Sequence, residues 1–543
     1  MSTSAARPAA APLDRITGSG ELARNALGLP QVLFCIVTGS APLAAMMFND
    51  PVAIRGVGIG APAAFWVATL ALGIFSVGYV EMARRVTTAG GFYSFMSHGF
   101  GRVVGLGTAI AVAAAYMIFV PGINGVTAYF ANTTISSLGG FQMDWRIYAF
   151  CFLAITFALT YFHIDLVSKI LGFFLIGELI ILTLFSFAVL VQGGAGGISL
   201  APLDPSNLFN GGQAGPAFAS IGGAAAGIGF FAAFWSWVGF EMAPNYAEEA
   251  RNPKKMMAYA IYIACFGLGI LYTFVTWMLV SAYGGNRSTF AVAASYYGID
   301  PKKNMAAAGY PNGDTGNVFY PVTKSFLGVG LTDLFKVLII TGSFAACLAF
   351  WNTANRYLFA MGREGILPRV LGRTHAKHKS PFVATIVVAL FAAMLTALFA
   401  TGAAGSGFEK AVLGGQGASN PLIGIAELGT WMPFQGVLII LPIQALVSLA
   451  ILWYFLRPEN RDGRHWFKTI LAPILGAGAQ AFAVFLMVKN RAQLTTGSTK
   501  GYIGATPWIV LGIFLGGVLL ALLYRYFARE RYEAVGRFVH EEA

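Results

Sequence analysis

The chain has 543 residues, 57% of them hydrophobic and 11% charged, with a formal net charge of +12. Its mean hydropathy of +0.68 excludes an ordinary soluble globular protein and implies a polytopic membrane protein. The basic residues fall in short clusters between apolar runs, a pattern of loops at a membrane surface and not of a nucleic-acid-binding face.

Residues 1–27 form a polar tail with Arg7, Arg15 and Arg24 and lack the compact apolar core and cleavage site of a signal peptide. The first apolar run is therefore expected to stay as a membrane span. A helix needs about 20 apolar residues to cross the hydrocarbon core. Runs of that kind lie near 29–54, 61–83, 103–130, 147–162, 167–191, 227–247, 258–282, 332–360, 381–402, 436–456, 467–489 and 506–528. The fold class expected is an all-α polytopic membrane protein of about 12 transmembrane helices. The stretch from Ala403 to Gln435 is long enough to hide a partial helix. The polar connection from Tyr283 to about Leu331 is expected outside the membrane, and the charged loop from Arg356 to Pro381 on the other side, with a short interfacial helix. With the N-terminus inside, most of the 35 Lys and Arg fall on that side, so both termini are expected in the cytoplasm of a cell-membrane protein.

The four cysteines, Cys35, Cys151, Cys265 and Cys347, lie in apolar runs without a C-x-x-C pair and read as buried thiols. The six histidines, His98, His163, His375, His378, His465 and His540, lie in loops or at span ends, and neither H-E-x-x-H nor G-x-S-x-G occurs. No enzyme, metal or cofactor is expected.

Two spans are interrupted. The first carries "TGSAP" (Thr38 to Pro42) and the sixth carries "FFAAFWSWVGFEMAP" (Phe230 to Pro244), with Ser236 and Gly239 as its small residues. In hydrocarbon a freed backbone group must find a partner, so a broken helix is tolerated where it faces protein or a wet cavity. Each break alone also reads as a plain Pro or Gly kink. Spans one and six stand at corresponding positions if the first ten helices are two five-helix repeats, the arrangement of inverted-repeat transporters.

Three stretches resemble the amino acid-polyamine-organocation (APC) superfamily of permeases. "VTTAGGFYSFMSHGFGRVVGLGTA" (Val86 to Ala109) is similar to its Gly-Gly-x-Tyr loop, and "WVGFEMAPNYAEEARNPKK" (Trp237 to Lys255) to its sixth-span Gly-Phe-Glu signature. "NRYLFAMGREGILP" (Asn355 to Pro368) resembles the motif after its eighth span. The resemblance implies a 5+5 inverted repeat with broken helices 1 and 6 plus two C-terminal helices. The division that follows is a tail of 1–27, a core of 28–456 with repeats at about 28–191 and 227–456, added helices at 467–528, and a tail of 529–543.

It further implies a secondary transporter for an amino acid or amine, proton-coupled and working by alternating access. The oligomeric state is left open. Carried over, the amides of Ser40 and Ala41 are substrate-carboxylate donors beside Gly39, and carbonyls near Val37, Thr38, Ala233 and Phe234 accept its ammonium. Pro42 stands where the family has another amide, which raises a polyamine or other amine without a carboxylate as the alternative substrate.

Phe234, Trp235 and Trp237 either cap the site or face lipid and core, with Trp237, between Ser236 and Gly239, the preferred gate. Tyr116 and Asn124 either face a cavity or bond helix to helix. Intramembrane carboxylates are functional candidates by default. Glu178 either couples transport or makes a structural hydrogen bond, near where proton-coupled relatives carry a lysine, with Lys169 nine residues before it. Glu241 either titrates or ties the broken segments, and Glu81 is read as an interfacial ion pair with Arg84 and Arg85. Thr341, Ser343 and Thr353 give no compact hydroxyl pair for sodium, so protons are favoured.

Overall fold

A computed structural model describes residues 28–86, 90–140, 143–162, 165–210, 225–285, 317–378, 380–401, 423–495 and 501–535. Among these residues the regular structure is helical, with eleven helical runs long and apolar enough to cross a membrane. The first of them, Leu29–Ala83, is 55 residues long and holds the first two expected spans.

That run is not one rod. Helix α1 (Leu29–Ser40) stops at Ala41, whose φ of 41° and ψ of 72° are left-handed. Pro42 is the local cause, because a proline disfavours the helical conformation in the residue before it and offers no N–H. The chain resumes with one turn, α2 (Pro42–Ala44), a π turn over Ala45–Asn49, and α3 (Asp50–Val57). Gly58 (φ 57°, ψ −132°) then reverses direction into α4 (Ala61–Ala83).

The rest of the bundle comprises α5 (Gly91–Phe100), α6 (Arg102–Ser137), α7 (Trp145–Phe162), α8 (Asp165–Gln192), α9 (Ala226–Trp237) and α10 (Pro253–Ala282). It continues with α11 (Phe319–Leu327), α12 (Val329–Arg363), α13 (Phe382–Thr401), α14 (Ile423–Leu456), α15 (Ala472–Asn490), α16 (Tyr502–Phe527) and the short α17 (Arg529–Ala534). The 36-residue α6 runs through the centre against α12 and α14, while α4 packs on α10 and α15. At 1.5 Å per residue α6 is about 54 Å long, more than the ~30 Å hydrocarbon core. On α16, Trp508, Leu511, Leu515 and Leu519 project outward at helical spacing.

Three expectations change. The helix suspected between Ala403 and Gln435 is the first part of α14, which begins at Ile423; residues 402–422 lie outside those described. In the charged loop, α12 itself continues to Arg363, and the interfacial helix reduces to a four-residue 3₁₀ turn, Arg369–Gly372. Of the cysteines only Cys265 and Cys347 are buried; Cys151 is exposed on α7 and Cys35 is intermediate. The connection after Tyr283 is described only to residue 285 and again from 317, while Thr87, Thr88, Ala89, His163 and His540 lie outside the described residues.

Spans one and six lie side by side and antiparallel. A Cβ on Gly56 would stand 2.6 Å from Gly229 N, and one on Gly239 would stand 2.9 Å from the carbonyl carbon of Gly39 and from Ser40 N. Backbone thus touches backbone at both levels, which only glycine allows. Replacing Gly239 with Ala adds that clash to a φ of 130°, so destabilisation of about 1–3 kcal/mol or more is expected. Thermal unfolding followed by intrinsic fluorescence in detergent checks this, against Gly267→Ala, where nothing lies within 4 Å of an added Cβ and no loss is expected.

Candidate functional site

The two breaks leave backbone groups that the helices themselves cannot satisfy. At the first, Ala41 N–H donates to Val37 O (3.0 Å) and Thr38 O (3.1 Å), and Ser40 Oγ donates to Ile36 O (3.2 Å). The Ala41 amide expected to meet a substrate carboxylate is therefore paired within its own segment. Leu43 N–H, two residues later, instead donates to Glu178 Oε2 at 3.3 Å, and Tyr272 of α10 donates to Ser40 O at 3.3 Å. Glu178 is 2% exposed and fits against α12 because residue 342 is glycine: a Cβ there would stand 2.4 Å from its Oε1. The side chain of Lys169 lies outside the described residues.

At the second break α9 ends at Trp237, Val238 is extended, and Gly239 (φ 130°, ψ −35°) opens a 3₁₀ segment, Phe240–Glu249. Glu241 closes the gap from below. Its Oε2 accepts from Gly239 N–H (2.9 Å), its Oε1 from Tyr116 Oη (2.7 Å), and its carbonyl from Tyr79 Oη (2.9 Å). These bonds hold the start of the segment after the break against α6 and α4. Tyr116 is stacked on Tyr357, with ring centres 5.9 Å apart.

The aromatic pair divides. Trp237 points away from the breaks' shared space: its indole donates to Cys265 O (3.1 Å) and its ring meets Tyr272 and Phe65. Trp235 faces that space, stacked on Phe119 (4.6 Å) and Phe350 (5.8 Å). Two residues on a helix are about 200° apart in phase, which sends the two indoles to opposite faces. Asn49 Nδ2 donates to Ser236 Oγ (2.8 Å), joining the two broken spans.

Between α2, α6, α9 and α12 lies a small cavity. Gly39, Ser40 and Ala41 of the first break form one wall, and Trp235 and Phe350 another. Ile123 and Val126 of α6 and Ser343 and Ala346 of α12 complete the sides, with Ala44, Ala45, Phe48 and Asn49 toward α3. None of these lining side chains is ionisable. Of the residues singled out in the sequence, Gly39, Ser40, Ala41, Trp235 and Ser343 line this cavity; Val37, Thr38, Tyr116, Glu178, Ala233, Phe234, Ser236, Trp237, Gly239 and Glu241 do not.

Asn124 donates to Ala149 O (2.9 Å), a helix–helix bond. Ser343 and Thr353 bond back to the carbonyls of Ile339 (2.7 Å) and Ala349 (2.9 Å) in their own helix. Glu81 pairs with Arg84 (3.2 Å) and, unexpectedly, with Lys468 (3.3 Å).

Apart from Ser343, weighed in the sequence as a sodium ligand, the lining residues on α6 and α12 carry no signal there, because Ile123/Val126 and Ala346/Phe350 have the spacing of any buried helix face. Asn49 and Asp50 carried a visible signal, adjacent polar residues in an apolar run. Asp50 is fully buried, with Thr276 Oγ1 at 2.6 Å from its Oδ1.

A family profile described as amino acid permease matches residues 27–524. The chain is 24% identical over 476 residues to the branched-chain amino acid permease BcaP of Bacillus subtilis (strain 168), covering 84% of this chain and 85% of that one. It is 24% identical over 353 residues to the permease of the same name in Lactococcus lactis subsp. cremoris (strain MG1363), covering 60% and 66%. It is 27% identical over 163 residues to the methylthioribose transporter of Bacillus subtilis (strain 168), covering 30% and 29%.

The Glu241 tie makes a direct prediction. Tyr116→Phe removes the hydroxyl that meets Glu241 Oε1 and is expected to cost about 1–3 kcal/mol of stability. Thermal unfolding in detergent reads that loss, and adding saturating substrate to both proteins is expected to raise their midpoints equally, since Tyr116 stands outside the cavity.

Proposed function

The chain belongs to the amino acid permease family, and from that membership we propose that it is a secondary active transporter of amino acids with apolar side chains, driven by protons and working by alternating access. The observation that carries the substrate class is the cavity beside the two breaks, walled by Ile123, Val126, Trp235, Ala346 and Phe350 without an ionisable side chain. A branched aliphatic side chain fits such walls, and burial of each methylene there contributes about 0.8 kcal/mol. The branched-chain permeases among its relatives support the same class. Membership of a permease family also indicates a transporter and not an enzyme.

Glu178 is the coupling group in this reading. Its carboxylate holds the Leu43 amide at the start of the segment beyond the break, where a helix N-terminus favours negative charge. Taking up a proton weakens that hold and frees the amide, which links the charge of Glu178 to the shape of the first span. The termini are cytoplasmic in this reading, so α1 lies in the inner half of the first span and α3 in the outer half. The two five-helix repeats make up 28–456, lipid surrounds the exposed apolar faces of α8 and α16, and 467–528 are two added helices.

One observation favours a second substrate. Pro42 supplies no N–H and the Leu43 amide is already held by Glu178, which leaves the first break few donors for a substrate carboxylate. An amine without a carboxylate, such as a polyamine, fits that shortage.

Purified protein in liposomes, given a labelled panel of amino acids and diamines with and without an inside-alkaline pH gradient, separates these readings. Leucine, isoleucine and valine are expected to accumulate with the gradient. Accumulation of a diamine alone would select the second reading, and accumulation of neither would refute the function. Glu178→Gln is expected to abolish gradient-driven accumulation while leaving exchange at equal pH. Ala346→Val narrows the cavity and is expected to lower leucine uptake relative to alanine uptake by about 10-fold or more.

A further inference from the structure

Thr276 of α10 makes two close oxygen contacts with a single hydroxyl proton. Its Oγ1 lies 2.6 Å from Asp50 Oδ1 and 2.8 Å from the carbonyl oxygen of Tyr272. Both distances are those of O–H···O hydrogen bonds, and each needs a proton between the oxygens. The Tyr272 carbonyl has none to give, and Thr276 has one. If Thr276 gives its proton to the carbonyl of the preceding turn, as helical threonines do, the proton in the 2.6 Å contact belongs to the carboxyl group.

The surroundings of Asp50 agree. The residue is fully buried, and its second oxygen, Oδ2, has no hydrogen-bond partner. A bare oxygen is far more costly on a buried carboxylate than on a neutral carboxylic acid. Asp50 also follows a π turn, a distortion that recurs at functional sites. Pro51 gives no N–H to the Met47 carbonyl four residues back, and Asn317 Nδ2 takes that carbonyl at 2.7 Å.

The titratable groups on the neighbouring elements are engaged elsewhere. Among the described residues, Tyr272 donates to Ser40 O and Tyr283 to Val318 O on α10, while Arg55 of α3 donates to Gln493 O. On α11 the Tyr320 ring lies against Lys336 Nζ, and Lys324 is exposed. Helix α9 has no titratable residue, and Tyr79 and Glu81 of α4 lie at the end of that helix away from α3.

We propose that Asp50 is a second proton-binding site in the bundle, carrying its proton on Oδ1 toward Thr276 Oγ1 and so fastening α3 to α10. On release, the O–H bond of the acid breaks, its proton passes to a water molecule that reaches Asp50, a carboxylate is left, and the Thr276 hydroxyl turns from the Tyr272 carbonyl to donate to Oδ1. The charge left on the unpartnered Oδ2 then favours separation of α3 from α10 and entry of water. The site is distinct from Glu178 and does not depend on which substrate is carried.

Infrared difference spectroscopy of the purified full-length protein in lipid at neutral pH tests it without transport. The carbonyl-stretch band of a protonated carboxylic acid is expected in the native protein and in Glu178→Gln, and is expected to be missing from Asp50→Asn. In Thr276→Val the band is expected to persist at higher frequency, because the acid loses its acceptor; this arm holds even if Asp50→Asn does not fold. A spectrum of the native protein without such a band, a band unchanged in Asp50→Asn or Thr276→Val, or a band lost instead in Glu178→Gln overturns the proposal. A failure of the liposome panel leaves these bands unaffected, so the two readings fail separately.

Discussion

Two interrupted spans place backbone amides and carbonyls at membrane depth, where no bulk water completes their hydrogen bonds. The buried polar side chains around the breaks answer that constraint. Glu178 takes the Leu43 amide, Tyr272 serves the Ser40 carbonyl, Asn317 the Met47 carbonyl, Glu241 the Gly239 amide and Tyr79 the Glu241 carbonyl. These five come from α8, α10, the segment before α11, the broken sixth span itself and α4. The breaks are thus anchored on several sides of the bundle.

The character of the cavity follows from this allocation. The carboxylates near the breaks serve backbone groups, so the walls are left to Ile123, Val126, Trp235, Ala346 and Phe350, with Ser40, Asn49 and Ser343 as polar side chains. Asn49 and Ser343 are themselves bonded, to Ser236 and to the Ile339 carbonyl. An apolar substrate surface meets such walls at little desolvation cost, whereas a second charge there would have no fixed counter-ion.

Much of this was legible in the sequence, because the hydrocarbon core imposes long apolar runs and a proline in such a run has a known backbone consequence. The spans, both breaks and the capping glutamates were marked by residue type alone. What sequence could not give was azimuth. Trp235 and Trp237 are equivalent as letters, and only the direction of α9 sends one toward the cavity and the other onto the Cys265 carbonyl. The aliphatic residues of α6 and α12 are likewise indistinguishable from core by spacing. Asp50 is a different kind of omission: a carboxylate beside Asn49 in an apolar run was a signal in plain view, overshadowed by Pro42 eight residues earlier.

The contacts between the two broken spans constrain how the cavity can open. Gly56 meets Gly229 near one end, Asn49 bonds Ser236 farther in, and Gly39 meets Gly239 at the breaks. Two of these three are backbone-to-backbone approaches with no side chain to rearrange, and packed contacts of that kind shift as units and do not stretch. Spans one and six therefore behave as one body along that shared length. The cavity lies between this pair and the pair formed by α6 and α12, which makes that boundary its second side. Among the described residues, the interactions that cross it include the Tyr116–Glu241 hydrogen bond, the Thr353 hydroxyl on Met242 Sδ, Arg356 on the Asn245 carbonyl and the Tyr246 ring, and the stack of Trp235 on Phe119 and Phe350. A stack resists separation but tolerates sliding, whereas the 2.7 Å hydrogen bond fixes a point. The Glu241 end of the boundary is thus more firmly fixed than the Trp235 end.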